Sequence, residues 1–101
     1  MDLGTGDGGA VMHAAACQPQ ALVIGVDTNA SGLIEASRRA ARPAHKRGLP
    51  NAVFLVGEAS EALTLFAARL DELHITLPWG SLVRALVDGE RAFALAVAGA
   101  L

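Results

Sequence analysis

The chain has 101 residues, 52% of them hydrophobic and 18% charged, with a formal net charge of −2. That length holds one domain near the lower limit for burying its own core. So apolar a composition excludes disorder, and so small a charge gives no overall pull toward nucleic acid or membrane.

The one cysteine, Cys17, excludes an intrachain disulfide framework and fits a reducing cytoplasm. No basic or apolar signal region follows Met1, and the longest apolar run, Ala92–Ala98, is too short to cross a bilayer. Residues 1–101 are therefore expected to form a single soluble, monomeric domain.

Met1-Asp2-Leu3 has strand character but is short for a buried strand of about five or six residues. Gly4-Thr5-Gly6-Asp7-Gly8-Gly9 follows as a turn, and Met12 and Cys17 read as the core face of the segment after it. Ala21–Asp27 is a branched apolar run, the signature of a strand buried on both faces of a parallel sheet. Asn29–Arg42 reads as a helix with Leu33, Ile34, Ser37 and Ala41 on one side, and Arg38, Arg39 and Arg42 suit its negative end. Pro43 and Gly48-Leu49-Pro50-Asn51 mark a loop. Ala52–Val56 is the next strand, Glu58–Leu70 a helix, Asp71–Leu77 a further strand stopped by Pro78. Ser81–Val87 and Arg91–Leu101 read as two helices around an Asp88-Gly89 break. Strands alternating with helices imply right-handed crossovers and an open parallel α/β sheet of about four strands.

The turn carries the chemistry. Gly4, Gly6 and Gly9 satisfy a G-x-G-x-x-G pattern, and Asp27 stands about 20 residues on, where a ribose-binding carboxylate belongs. Glycines let the backbone approach a ligand, and the carboxylate accepts hydrogen bonds from ribose hydroxyls. Asp2 separates the possible ligands. A dinucleotide would bring its pyrophosphate to this turn, against a carboxylate. S-adenosylmethionine (SAM) brings an ammonium and a sulfonium instead, so Asp2 and Asp7 favour SAM. A glycine loop without ligand is the alternative.

Two later segments fall at the same edge of such a sheet. Ala59-Ser60-Glu61-Ala62-Leu63 follows a strand, and its small residues leave room for an adenine ring; Glu58 and Glu61 also fit as ordinary first-turn helix acids. Trp79, in Leu77-Pro78-Trp79-Gly80-Ser81-Leu82, is displayed where a base could stack on it, or packs beneath the last helices. Arg38, Arg39, Arg42, His45, Lys46 and Arg47 form a basic cluster that suits rRNA phosphates or a solvated helix end. His13, His45 and His74 have no ligand spacing with Cys17, so no metal is expected.

Taken together, these strings resemble the aminoglycoside-resistance 16S rRNA (adenine-N1) methyltransferases of the Kam and Npm type. The matching pieces are Asp2–Gly8, Ile24–Asp27, Ala36–Arg42, Asn51–Leu63 and the Leu77–Leu82 string. The resemblance implies a Rossmann-like class I SAM-dependent methyltransferase fold, and an incomplete domain. Members use a second tryptophan beyond the end of this chain, and a basic residue and an aromatic where this chain has Gly9, Ala10 and Val11.

It further implies that Asp2, Gly4, Thr5, Gly6, Asp27 and Thr28 bind SAM, that Ala59, Ser60, Glu61 and Leu63 border its adenine, and that Trp79, beside Pro78, stacks on the target base. The implied partner is 16S rRNA in the 30S subunit, in the cytoplasm. Adenine N1 carries an in-plane lone pair and needs no general base, so positioning supplies the catalysis, after the base is flipped from its stack. A SAM-binding fragment without turnover and a small-molecule methyltransferase remain as alternatives.

Overall fold

A computed structural model describes residues 1–75, 89 and 91–101. Its strands are β1 (Asp2–Leu3), β2 (Val23–Asp27), β3 (Ala52–Val56) and β4 (His74–Ile75). Its α-helices are α1 (Gly9–Cys17), α2 (Ala30–Ala40), α3 (Ala59–Leu65) and α4 (Arg91–Ala100), and a 3-10 turn covers Ala44–Lys46. The expected helix at Ser81–Val87 lies outside the described residues, as do Thr76 and Leu77 of the expected last strand.

The four strands form one parallel sheet in the order β3-β2-β1-β4. β1 is short but central: Asp2 pairs with Gly25 and His74, and Leu3 with Val26 and Ile75. The order reverses beside β1, and in open α/β sheets ligands bind outside the carboxyl ends of the strands at that point.

Alternation along β2 assigns the helices to opposite faces. Gly25 looks toward Thr5, Val11 and Phe54, beneath α1 and α2. A Cβ at Gly25 would come within 2.9 Å of both Thr5 and Val11, so that face closes only over glycine. Ile24 and Val26 point the other way, into a core with Leu3, Ala62, Leu63, Phe93 and Ala100 under α3 and α4.

Three expectations are corrected. The buried face of α2 is Leu33, Ala36 and Ala40, whereas Ile34 is 57% exposed and Ser37 and Ala41 are exposed. The helical period holds, but the face is turned by one residue because small Ala36 must sit against Gly8. In α1 the buried residues are Val11 and Ala15; Met12 is half-buried and Cys17 exposed. Finally, α3 ends at Leu65 rather than Leu70. Ala68 takes a left-handed φ of 58°, and its N–H, with that of Leu70, donates to the Gly99 and Ala100 carbonyls at 2.6 and 3.0 Å. The last carbonyls of α4 thus gain partners that a continuing α3 would have kept for itself.

Asn51 closes the amino end of the sheet. Its side-chain amide donates to the carbonyls of Ala15, Gln18 and Ala21 at 2.9–3.0 Å, and its own carbonyl accepts from Val23 N–H at 2.8 Å. One side chain thereby terminates α1 and sets the start of β2.

Candidate functional site

The loop Gly4–Gly8 leaves the carboxyl end of β1 with Gly4, Gly6 and Gly8 at φ of 73°, 63° and 79°, conformations that side chains resist. Gly4 and Thr5 N–H groups donate to the Val26 carbonyl at 2.8 and 3.0 Å, and Gly8 N–H to Thr5 O at 3.1 Å. Two of these glycines do different work. A Cβ on Gly8 would lie 2.7 Å from Phe54 and 2.9 Å from Ala36, so Gly8 seats the loop on the fold; above Gly6 there is nothing within 4 Å. Gly6 faces open space, as a ligand-facing turn requires.

Asp27 ends β2 and ties three elements together. Its Oδ2 accepts from Gly6 N–H at 2.8 Å and its Oδ1 from Asn29 N–H at 2.9 Å, while Gly57 N–H donates to its backbone carbonyl at 3.0 Å. Asn29 in turn caps α2, its Oδ1 accepting from Ser31 N–H at 3.1 Å. A carboxylate has about four acceptor positions, so Asp27 is oriented by the backbone and keeps capacity for further donors.

Below the loop, Asp2 is 7% and Thr5 9% exposed. Asp2 Oδ1 and Thr5 Oγ1 are fully enclosed and have no hydrogen-bond partner among the described residues. Such burial costs about 1–3 kcal/mol for a neutral group and more for a charged one, so these two atoms are the places beneath the loop where a further hydrogen-bond partner would add most.

A recess of about 170 Å³ adjoins the loop, lined by Val26, Leu55, Val56, Gly57, Glu58, Glu61, Ala62 and Leu65. Its floor is aliphatic and its rim carries carboxylates, a setting for a flat ring with polar edges. A larger open depression of about 530 Å³ lies at the other end of the strands, against Gln18, Pro19, Gln20, Ala21 and Asp71. Neither is lined by Gly4–Gly8, but the smaller recess shares Val26, whose carbonyl accepts from Gly4 and Thr5 N–H, and Gly57, which donates to the Asp27 carbonyl, so it is the one tied to the loop.

Asp2, Gly4, Thr5, Gly6 and Asp27 therefore converge on one loop, and Glu61 stands beside them on the recess rim. Thr28 is exposed just past Asp27. Ala59 packs against the core, Ser60 is exposed with its carbonyl accepting from Thr64 Oγ1 at 2.9 Å, and Leu63 is 1% exposed within the core. Of Ala59–Leu63, Glu61 and Ala62 are the residues that line the recess. Pro78 and Trp79 lie outside the described residues. Leu55, Val56, Gly57 and Leu65 were not singled out by their types; their signal is position, at the carboxyl end of β3 and on the helix after it.

Elsewhere, His13 Nε2 stands 3.7 Å from Cys17 Sγ one helical turn away, so these two do meet, although no three metal-ligating side chains group together among the described residues. No described helix is long and apolar enough to cross a membrane. Arg39, Arg42, His45, Lys46 and Arg47 are exposed, and Arg38 pairs with Glu35 at 3.0 Å.

Known proteins share this fold. The family model described as NpmA, 16S rRNA (adenine(1408)-N(1))-methyltransferase, matches residues 1–100. The 16S rRNA (adenine(1408)-N(1))-methyltransferase of Streptoalloteichus tenebrarius is 37% identical over 87 residues, 86% of this chain and 40% of that protein. The crystal structure of the aminoglycoside resistance methyltransferase NpmB1 superposes with a TM-score of 0.92 at 36% identity, covering 99% of this chain and 48% of that one. A variant of the Catenulisporales acidiphilia enzyme, solved with cosubstrate SAM, gives 0.89 at 32% identity over 98% of this chain and 44% of that one. The chain thus spans under half the length of these relatives. Its parallel sheet and helices have the Rossmann-like methyltransferase fold, and the chain belongs to the 16S rRNA (adenine(1408)-N(1))-methyltransferase family.

Proposed function

We propose that this chain forms the SAM-binding part of a methyltransferase that modifies N1 of an adenine in the 16S rRNA decoding site of the 30S subunit, a modification that confers aminoglycoside resistance. The observation that carries this reading is the enclosed Asp2 Oδ1, without a hydrogen-bond partner among the described residues, at the foot of a loop whose Gly6 is open. A carboxylate in that place suits a cation and repels a pyrophosphate, which favours SAM over a dinucleotide.

The residues present fit that cofactor. Asp2 and Thr5 offer buried polar atoms to its amino-acid part, Asp27 offers a backbone-oriented carboxylate to its ribose, and the recess between β3 and α3 offers an aliphatic bed to its adenine. SAM supplies an activated methyl group, which adenine N1 can accept without prior deprotonation. The chain's own work is positioning: backbone amides fix the loop and the carboxylate before anything binds, which lowers the ordering cost of binding. By resemblance, Trp79 with Pro78 holds the flipped target base. The protein would act as a monomer in the cytoplasm, consistent with a single, exposed cysteine.

Calorimetric titration with SAM tests the cofactor assignment. Saturable binding is expected, and loss of binding in both Gly4→Arg and Asp27→Ala; unchanged titrations would contradict the site. Methyl transfer to 30S subunits, mapped to adenine N1, tests the reaction. One other reading is a SAM-binding part without turnover of its own, and transfer by this chain alone would reject it.

A further inference from the structure

We propose that Gly48 is a positioning residue: it locks the turn Pro43–Gly48 so that Lys46 and Arg47 are held in one geometry for the sugar-phosphate backbone of rRNA. The choice of partner rests on the function proposed above; the lock itself rests on the backbone.

A basic helix end that merely solvates itself needs no fixed shape, yet this one is closed at every step. Lys46 and Gly48 N–H groups donate to Pro43 O at 2.9 and 3.1 Å, Arg47 N–H to Ala44 O at 3.1 Å, and Leu49 N–H to Ala40 O at 2.8 Å. Arg47 is held at a φ of 65°, left-handed backbone that a side-chain-bearing residue adopts only where its surroundings impose it. Gly48 is the reason the ring can close: a Cβ there would fall 1.6 Å from Arg42 O and 2.5 Å from Arg42 C, both backbone atoms.

The hydrophobic core does not ask for this shape, because residues 41–47 are all exposed. Nor do neighbouring carboxylates, since Arg39, Arg42, Lys46 and Arg47 form no ion pair with another described residue. What the closure achieves is display. Two long cations are mounted on a backbone that loses little freedom when they are engaged, which is what favours binding to a fixed array of phosphates. The turn lies at the amino end of the sheet, one helix length from the glycine loop. Phosphate contacts made there can set how a large RNA particle is seated without reading any base.

The test is binding of the chain to 30S subunits over a series of salt concentrations, with SAM titration as the control for folding. Lys46→Ala and Arg47→Ala should each lower the salt slope by about one. Gly48→Ala, which removes no charge, should weaken 30S binding about tenfold at low salt and lower the slope by about one to two, with SAM affinity unchanged. In a Lys46→Ala/Arg47→Ala background the same Gly48→Ala change should have no further effect, because the groups it positions are gone. Wild-type binding by Gly48→Ala overturns the inference, and so does a penalty that persists in the double variant. If Gly48→Ala also loses SAM binding, Pro43→Gly, which adds no atom and keeps every charge, should weaken 30S binding several-fold; wild-type affinity there overturns the inference. The predicted pattern without methyl transfer would refute the proposed reaction and leave the lock standing, whereas absence of salt-dependent 30S binding refutes the lock while SAM binding still reports on the cofactor site.

Discussion

The glycine loop at the carboxyl end of the sheet and the basic turn at its amino end both depend on a glycine, but for opposite purposes. At the loop, left-handed glycines bring backbone over buried polar atoms that lack partners among the described residues, and the adjoining recess is largely aliphatic. At the turn, a glycine permits close backbone approach while every charged side chain stays in water. A small ligand is gripped through a few enclosed groups and loses its water; a polyanion is held through many exposed cations whose counterions are released. The two proposals thus assign the two ends of one α/β unit to two kinds of ligand.

The largest blow to this contrast should come from Gly8→Ala. It places a methyl group 2.7 Å from Phe54 and asks alanine to adopt a φ of 79°, a combined cost of about 2–5 kcal/mol. Denaturant unfolding should show that loss, and SAM binding should fall with it; wild-type stability would mean the loop is not seated on β3 as described.

Asn51→Ala separates folding from ligand binding. It deletes an amide that serves three carbonyls, so about 1.5–3 kcal/mol of stability should be lost. SAM affinity measured well below the unfolding midpoint should not change, and a parallel loss would show that the amino end of the sheet governs the loop.

Asp2→Asn should move two properties in opposite directions. Removing a charge from an enclosed site that offers Oδ1 no partner among the described residues should leave the ligand-free chain as stable or about 1 kcal/mol more so. SAM affinity should drop at least about tenfold, equivalent to about 1.4 kcal/mol. Loss of stability with intact affinity would make Asp2 a purely structural residue.

Glu35→Gln is expected to do least. Its ion pair with Arg38 joins two side chains that are 56% and 69% exposed, and such pairs contribute about 0.5 kcal/mol or less. A larger effect on unfolding would mean that Arg38 is held for a reason beyond that pair.

The parts of the site that could be read directly are those where residue type and chemistry coincide. Glycines in series need a tight turn whatever surrounds them, and a carboxylate closing a branched apolar run marks a strand end. That Gly4 and Gly6 form a tight turn and that Asp27 ends a strand beside it was legible on that basis, and β3 was found at Ala52–Val56 as its apolar run indicates. The recess was not legible, because Leu55, Val56 and Leu65 are aliphatic like any core residue and only their exposure at a strand end distinguishes them. Leu63, beside them in sequence, turned inward instead.

The sequence by itself determined the alternation of strands and helices, the parallel sheet, the loop and its carboxylates, because hydrophobic period and glycine chemistry act over a few residues. Tertiary structure decided what depends on partners far along the chain. Which residues α2 buries follows from the contact between Ala36 and Gly8, and where α3 stops follows from the carbonyls of Gly99 and Ala100. Whether Asp2 is satisfied also depends on β2 and β4 enclosing it. Local spacing carries the period of an element, but only packing chooses its face, its end and the polar atoms it leaves unpaired.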